Sequence, residues 1–344
     1  MSKIYSHNAP VNLEMGGTLS KVEIAYTTYG KLNPENENVV WICHALTAND
    51  EAEIWWNGFV GPGCFLDPDK YFIVCANIIG SCYGTTGPRS INPETGSTYG
   101  LDFPAFTMRD TAHFHELLAN HLGISSILML VGGSCGGSQA LEMSLSPVFN
   151  IKNLLLIASS VRETEWIIAI HESQRMALQA DSTFTGNNDH SGKEGLKAAR
   201  AIGILSYRTE SAFHETQKNE DDRLDNFKVS SYMKHQGQKL ANRFHAHNYW
   251  LLTKCLDTHN LGRKRGGAEK ALQTISAKTT IIGIDSDKLI PVREQKFIAK
   301  YIPDCTYHEI SSAFGHDGFL IETSKISEIF SKTLNRINHS NKYS

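Results

Sequence analysis

The stretch Ile127-Leu128-Met129-Leu130-Val131-Gly132-Gly133-Ser134-Cys135-Gly136-Gly137 points most directly to the fold. Its continuous apolar run, 127–131, is typical of a strand that is buried on both faces. The glycines around Ser134 form the pattern G-x-S-x-G, in which small residues permit a tight turn from a strand into a helix. The following residues, 138–143, are compatible with a helix. The stretch therefore predicts a strand, a tight turn that exposes Ser134, and a helix.

Other apolar runs extend this pattern along the chain. An alternating run at 22–29 predicts a half-exposed strand, and continuous runs predict further strands at 39–43, 71–75, 154–157, 279–284 and about 305–310. Thr107 and Asp110 have the spacing of a helix capping box, and apolar residues follow at helical spacing from Phe114 to Leu122. Alternating strands and helices predict an α/β fold with a mostly parallel sheet flanked by helices.

The segment 161–274 differs from the rest, because it contains few strand-like runs and many helix-compatible ones. We therefore predict a core formed by residues 1–160 and 275–344, with a helical lid inserted at 161–274. An amphipathic stretch near Ile326, Ile329 and Phe330 predicts a closing helix.

Composition excludes several classes of protein. The 344 residues are 41% hydrophobic and 20% charged, which is typical of a globular protein, and the formal net charge is −3. That charge provides no basic surface for nucleic acid or an anionic membrane. The seven cysteines are scattered, with no CxxC pair and no spacing typical of metal ligands. The N-terminal residues lack the apolar core of a signal peptide, so we expect reduced thiols and a cytoplasmic protein without a bound metal.

Ser134 is the candidate nucleophile, and a serine hydroxyl needs a base and an acid that orients the base. In this arrangement the acid and then the histidine follow the serine along the chain. Asp287 and Asp285 both follow the run 279–284, and we favour Asp287 because it lies farther beyond the strand end. His316 follows the last predicted strand and is the candidate base. The alternative is a glycine-rich turn that binds a phosphate or only packs closely.

An acyl-transfer site also needs two N–H donors for the oxyanion of its tetrahedral intermediate. The backbone N–H of Cys135 is one candidate, because it directly follows the nucleophile. Leu46, in the loop after the run 39–43, is the other. We interpret Cys135 as a small residue that contributes its backbone rather than its thiol.

Several motifs together resemble the homoserine O-acetyltransferase family over about residues 10–330. They are His44-Ala45-Leu46-Thr47, Trp55-Trp56-Asn57-Gly58, Gly61-Pro62-Gly63, Cys82-Tyr83-Gly84-Thr85-Thr86-Gly87-Pro88, Ser90-Ile91-Asn92-Pro93, Asp102-Phe103-Pro104, Gly132-Gly133-Ser134-Cys135-Gly136-Gly137 and Gly315-His316-Asp317. The resemblance implies an α/β-hydrolase fold with a helical lid, a homodimer, and transfer of an acetyl group from acetyl-CoA to the γ-hydroxyl of L-homoserine in methionine biosynthesis. It implies no bound cofactor, with acetyl-CoA as co-substrate.

The resemblance also implies roles for individual residues. Ser134, Asp287 and His316 match the family's catalytic triad, and Leu46 and Cys135 match its oxyanion hole. Substrate-binding positions of the family correspond to Arg200, Tyr207 and Asp317. A guanidinium can hold the carboxylate of an amino acid, and a carboxylate can hold its ammonium group.

Some residues depart from the family pattern or have open roles. Cys135 stands where Met, Leu or Phe is more usual, and the segment 243–249 contains His245 and His247 in place of the usual residues. Trp55 and Trp56 are expected either to line the entrance of the site or to pack. The basic run 263–265 is expected to be a solvated loop or to contact CoA phosphates. The alternative activities are succinyl transfer, acylation of serine, ester hydrolysis, and a non-catalytic binding role.

Overall fold

A computed structural model describes the backbone of residues 1–340 and the side chains as far as Thr333. An eight-stranded sheet has the order β1-β4-β6-β5-β7-β8-β9-β10, and β2 pairs with β3 in a separate hairpin. The pairs β1–β4 and β4–β6 are antiparallel, and the remaining neighbours in the large sheet are parallel. The strands are β1 (Lys3–His7), β2 (Val11–Asn12), β3 (Thr18–Leu19), β4 (Val22–Tyr29), β5 (Val39–Cys43), β6 (Phe72–Ala76), β7 (Ser126–Gly133), β8 (Asn150–Ile157), β9 (Lys278–Ile284) and β10 (Cys305–Ile310).

Helices flank the sheet and fill the segment between β8 and β9. They are α1 (Ala52–Trp55), α2 (Met108–His121), α3 (Cys135–Ser144), α4 (Glu165–Gln179), α5 (Lys193–Tyr207), α6 (Glu210–Gln217), α7 (Lys228–Ala241), α8 (Ala246–Asp257), α9 (Ala268–Gln273), α10 (Val292–Tyr301), α11 (Gly318–Ile321) and α12 (Thr323–Ser340), with 3-10 turns at Gly100–Asp102 and Gly315–Asp317. Among the described helices, none is long and apolar enough to cross a membrane.

The predicted lid segment, 161–274, contains helices α4 to α9. Its division from the core as a separate domain stays a prediction. The predicted core extends to residue 344, and its last four positions lie outside the described residues. The predicted closing helix is α12, in which Ile326 and Phe330 are fully buried.

The central strands are buried on both faces, as their continuous apolar runs predict. All five residues of β5 are buried, because β6 and β7 lie on either side of it in the sheet and side chains cover both faces. The predicted capping box is confirmed at the start of α2. Thr107 accepts a hydrogen bond from the Asp110 backbone N–H, and Asp110 accepts one from the Thr107 backbone N–H.

The edge of the sheet near the N-terminus differs from the prediction. Strand β4 was expected to be half exposed, yet its residues 22 and 24–27 are all buried. The reason is that Val22, Ile24 and Tyr26 pack into the main hydrophobic core of the protein. The backbone edges of β4 pair with β1 and, over residues 26–29, with β6. Strand β1 and the hairpin β2–β3 were not predicted, because a short run such as Lys3–His7 has little apolar signal of its own.

The parallel strands bring distant parts of the sequence to one edge of the sheet. Strands β7, β9 and β10 run in the same direction, and Ser134, Asp287 and His316 each follow the carboxyl end of one of them. In α/β sheets, ligands bind at this edge. The chain topology therefore collects the predicted nucleophile, acid and base on one side of the molecule.

Candidate active site

The turn between β7 and α3 holds Ser134 in an unusual backbone conformation, with φ 55° and ψ −127°. A non-glycine residue with positive φ is strained by about 1–3 kcal/mol, so the surroundings must enforce it. Neighbouring glycines permit the turn. A Cβ on Gly132 would lie 2.2 Å from the Gly136 carbonyl oxygen, and a Cβ on Gly136 would lie 2.1 Å from the Cys43 carbonyl oxygen. The glycines of the motif are therefore required by backbone contacts.

Ser134, His316 and Asp287 form one chain of hydrogen bonds. The Ser134 Oγ lies 2.7 Å from His316 Nε2, and His316 Nδ1 lies 2.7 Å from Asp287 Oδ2. The other oxygen of Asp287 accepts hydrogen bonds from the backbone N–H groups of Leu289 and Ile290, both at 2.9 Å. These two bonds fix the carboxylate, which in turn orients the imidazole ring.

Asp285, the competing acid, lies elsewhere. Its Oδ1 accepts a hydrogen bond of 3.2 Å from the backbone N–H of Ser312, and its side chain is exposed. The structure thus brings Asp287, and not Asp285, to the histidine.

The groups around His316 stabilise its protonated form, as a general base requires. Burial lowers the pKa of His316, but the charge and the hydrogen bond of Asp287, with a contribution from Asp317, outweigh it and leave the pKa above its usual value. A buried imidazolium is therefore compensated by a buried carboxylate.

Leu46 and Cys135 both line the cavity in front of Ser134. Neither of their backbone N–H groups donates to an acceptor within the described residues, so both are free to bind an oxyanion. The Cys135 side chain is buried, and burial raises the pKa of its thiol to about 12. The thiol therefore stays protonated at neutral pH, in agreement with a residue that contributes its backbone.

The three predicted substrate-binding residues line the same cavity, whose volume is about 550 Å³. The Arg200 guanidinium lies 5.6 Å from the centre of the Tyr207 ring, which itself lies 6.0 Å from the His316 ring. Asp317 accepts a hydrogen bond of 3.0 Å from Arg208 Nε. The wall of the cavity therefore carries the Arg200 guanidinium and the Asp317 carboxylate, and Lys239 and Arg243 supply further cations. Asp317 is also paired with Arg208, so one of its oxygens already has a partner.

The tryptophans and histidines whose roles the sequence left open can be placed by their contacts. Trp55 lines the cavity, whereas Trp56 is buried and packs on Phe59 and Phe319. His245 and His247 approach loop carbonyl oxygens of Asn188 and Phe184.

The basic run does not reach the cavity. Arg263 pairs with Glu14 at 2.6 Å, and Arg265 pairs with Glu142 at 2.7 Å. The run lies in a loop, as expected, and Lys264 is exposed, whereas Arg263 and Arg265 are half-buried and their guanidinium groups pair with carboxylates. Both guanidinium groups therefore already have carboxylate partners within the protein.

Sequence reasoning missed several polar residues that line the cavity from the lid side, among them Glu163, His171, Gln174 and Lys239. Burial raises the pKa of Glu163 to about 8. His171 Nδ1 lies 2.8 Å from Asp257 Oδ1. No motif marks these positions, and only helical spacing along 167–174 would have placed some of them on one face. Among the described residues, no group of three or more His, Cys, Asp or Glu side chains forms a metal site.

Comparison with known proteins agrees with this geometry. The family described as having the alpha/beta hydrolase fold matches residues 38–323. A mostly parallel sheet with a hydrogen-bonded serine, histidine and aspartate at its carboxyl edge defines an α/β-hydrolase-fold protein. The homoserine O-acetyltransferase of Cyclobacterium marinum is 44% identical over 327 residues, covering 95% of this chain and 93% of that protein. That of Chloroherpeton thalassium is 42% identical and covers 93% and 85%. The chain belongs to the homoserine O-acetyltransferase family.

Solved structures share the fold at lower identity. A homoserine O-acetyltransferase from Bacillus anthracis has a TM-score of 0.86 and 23% identity, with 95% of this chain and 96% of that chain covered. The esterase E22 has a TM-score of 0.87 and 22% identity, with coverage of 96% and 98%. The same backbone therefore occurs in proteins named as transferases and as esterases, so the fold alone does not select between the two reactions.

Proposed function

We propose that this protein transfers an acetyl group from acetyl-CoA to the γ-hydroxyl of L-homoserine, through an acetyl ester on Ser134. One observation carries the proposal: Arg200 and Asp317 line the cavity that contains the hydrogen-bonded Ser134 and His316. An amino acid carries a carboxylate and an ammonium group, and this pair of opposite charges suits both. A simple esterase has no need of such a pair. The names of the relatives support the same activity.

In the first half-reaction, His316 Nε2 takes the proton of the Ser134 hydroxyl as Oγ attacks the thioester carbonyl carbon. The backbone N–H groups of Leu46 and Cys135 stabilise the oxyanion of the tetrahedral intermediate. When the intermediate collapses, the carbon–sulfur bond breaks and the CoA thiolate receives the proton from His316. Asp287 holds the imidazole in the required tautomer and stabilises its charged form.

In the second half-reaction, homoserine occupies the space that CoA has left. Arg200 binds its carboxylate, and Asp317, whose Oδ2 is held by Arg208, binds its ammonium group. The Tyr207 ring is near both the Arg200 guanidinium and the His316 ring. His316 takes the proton of the γ-hydroxyl, whose oxygen attacks the acetyl ester. The bond to Ser134 Oγ breaks, Oγ recovers the proton from His316, and O-acetylhomoserine leaves.

Water competes with homoserine for the acetyl ester, so the site must restrict it. Apolar side chains from the core and the lid cover part of the cavity wall, namely Leu46, Ile167, Ile170, Leu289, Ile290 and Phe319. These groups offer water no hydrogen bonds, whereas the charged pair offers homoserine two strong ones. The acceptor is thereby favoured over hydrolysis.

The test is a mass-spectrometric product assay with acetyl-CoA or succinyl-CoA as donor, and with homoserine, serine or water as acceptor. We expect O-acetylhomoserine as the dominant product. Dominant succinylated product or acylated serine would overturn the choice of substrate, and rapid hydrolysis without acceptor preference would identify an esterase. Absence of turnover of any activated ester would refute a catalytic role.

A second measurement tests the nucleophile. The intact mass of the wild-type protein should increase by one acetyl group after brief exposure to acetyl-CoA, and Ser134→Ala should abolish the increase. An acetyl adduct that persists in this variant would refute the assignment of Ser134.

The family resemblance also leads us to propose a homodimer in the cytoplasm and a place in methionine biosynthesis. Size-exclusion chromatography with light scattering measures the first of these directly. A monomer at micromolar concentration would overturn it.

A further inference from the structure

Gln174 is a buried polar residue of the cavity wall that the mechanism above does not use. Its side chain lines the cavity and has no solvent exposure. Neither Oε1 nor Nε2 has a hydrogen-bond partner among the described residues. A buried amide without partners is unfavourable, so such a group is expected to gain its hydrogen bonds from a ligand or from water.

Helical spacing explains why Gln174 faces the cavity. Ile167, Ile170, His171 and Gln174 lie at positions i, i+3, i+4 and i+7 of α4 and all line the cavity. The first two are apolar and the last two are polar. Helix α4 therefore presents a face whose second half offers hydrogen bonds.

The neighbour of Gln174 across the helix interface is Gly203 of α5. A Cβ on Gly203 would lie 3.1 Å from Gln174 Nε2 and 3.3 Å from the Tyr207 ring. Gly203 is one turn after Arg200 and one turn before Tyr207, so these three residues share a face of α5. The Gln174 amide nitrogen therefore lies near Tyr207, and Arg200 is on the same face of α5, one turn before Gly203.

The charges around Gln174 favour an anion at this position. Arg200 supplies a positive charge on the neighbouring helix. Glu163 also faces the cavity, but burial raises the pKa of its carboxyl group to about 8, so it is mostly uncharged at pH 7. His171 is paired with Asp257, whose other oxygen binds Arg175 at 2.6 Å. The acids on this wall are therefore either protonated or paired with cations.

We propose that Gln174 Nε2 donates a hydrogen bond to the carboxylate of the amino-acid acceptor, next to the guanidinium of Arg200. Gln174 is thus a specificity-determining residue of the second half-reaction. This inference rests on the proposed function, because it assumes an amino-acid acceptor. The first half-reaction does not involve the acceptor, so the two claims are tested by different measurements.

The experiment compares Gln174→Met and Gln174→Glu with the wild-type protein. We expect kcat/KM for homoserine to fall about 10- to 100-fold in Gln174→Met, which is the effect of losing a hydrogen bond to a charged group. The value of kcat/KM for homoserine should fall further in Gln174→Glu, because the new carboxylate repels the carboxylate of homoserine. Acetylation of Ser134 by acetyl-CoA alone should change less than about threefold. Gln179→Met and Gln179→Glu, at an exposed position of the same helix, are matched controls.

A second acceptor makes the result independent of any general loss of folded protein. L-homoserinamide carries a neutral amide in place of the carboxylate. The wild-type protein should prefer homoserine, and Gln174→Glu should reduce or reverse the ratio of the two kcat/KM values. An unchanged ratio in both Gln174 variants would overturn the proposal. Equal losses in acetylation and in acceptor use would also overturn it, since the amide would then serve the donor or the fold. Failure of the wild-type protein to form acetyl-Ser134 would instead refute the proposed function.

Discussion

Replacing Asp287 by Asn tests how the hydrogen-bond chain produces a base. Asp287 Oδ1 accepts from two backbone N–H groups at 2.9 Å, and Oδ2 faces His316 Nδ1 at 2.7 Å. The asparagine oxygen must take over the bonds to the two N–H groups, so its NH₂ group faces Nδ1. His316 then has to carry its proton on Nε2, which points at Ser134 Oγ, 2.7 Å away. In this tautomer the imidazole cannot accept the serine proton.

The expected loss in the rate of acetylation is about 10⁴-fold, the magnitude that the wrong tautomer causes in a Ser–His–Asp triad. This loss corresponds to about 5.4 kcal/mol, at about 1.36 kcal/mol for each factor of ten. Release of CoA from acetyl-CoA, followed with a thiol reagent in a stopped-flow instrument, measures the rate without an acceptor. Asp285→Asn is the matched control, because that carboxylate is two residues away and contacts only the Ser312 backbone N–H among the hydrogen bonds described for it. Its effect should stay within about 0.5 kcal/mol.

The pH profile provides a second readout. The base acts only when neutral, so the wild-type rate should fall as the pH drops below the raised pKa of His316. Asp287→Asn removes the largest cause that raises this pKa, and the acidic limb of the residual activity should therefore move to lower pH. A loss smaller than tenfold, or an equal loss in Asp285→Asn, would contradict the reasoning.

Two further predictions concern stability. Gly136→Ala places a Cβ 2.1 Å from the Cys43 carbonyl oxygen, and urea denaturation should show a loss of about 3 kcal/mol or more; a wild-type midpoint would contradict the steric argument. Glu163 has a pKa of about 8 in the folded protein, well above the ordinary value of 4.5, so the native state binds its proton more tightly and stability falls as the pH rises between these values. Glu163→Gln removes this dependence. Its free energy of unfolding, compared with that of the wild-type protein, should rise by up to about 1.4 kcal/mol for each pH unit from 5 to 8. A difference in unfolding free energy that does not change with pH would show that Glu163 is already ionised in the folded protein.

Much of the central sheet and the turn at Ser134 could be predicted, because the local sequence is sufficient to specify both. A strand buried on both faces needs a continuous apolar run, as in β5 and β7. The backbone at Ser134 tolerates only glycine at Gly132 and Gly136, since any Cβ there meets a carbonyl oxygen. The order of Ser134, Asp287 and His316 along the chain then follows from the strands that carry them.

Edge strands could not be predicted in the same way. Strand β1 is short and partly polar, and it exists because β4 offers it an antiparallel edge. The burial of β4 depends on packing against distant parts of the chain, which no local pattern within 22–29 reveals.

The sequence by itself determined the turn at Ser134, because the close contacts at Gly132 and Gly136 are set by local backbone geometry. It also determined the order in which the candidate acid and base follow the serine. Only the tertiary structure decided between Asp285 and Asp287, since two residues in one loop differ only in what they reach. The ion pairs of Arg263 with Glu14 and of Arg265 with Glu142, and the position of Gln174 next to Gly203, also depend on the tertiary structure. Each of these outcomes joins segments far apart in the sequence, and such contacts depend on how helices and strands pack rather than on the pattern within any one of them.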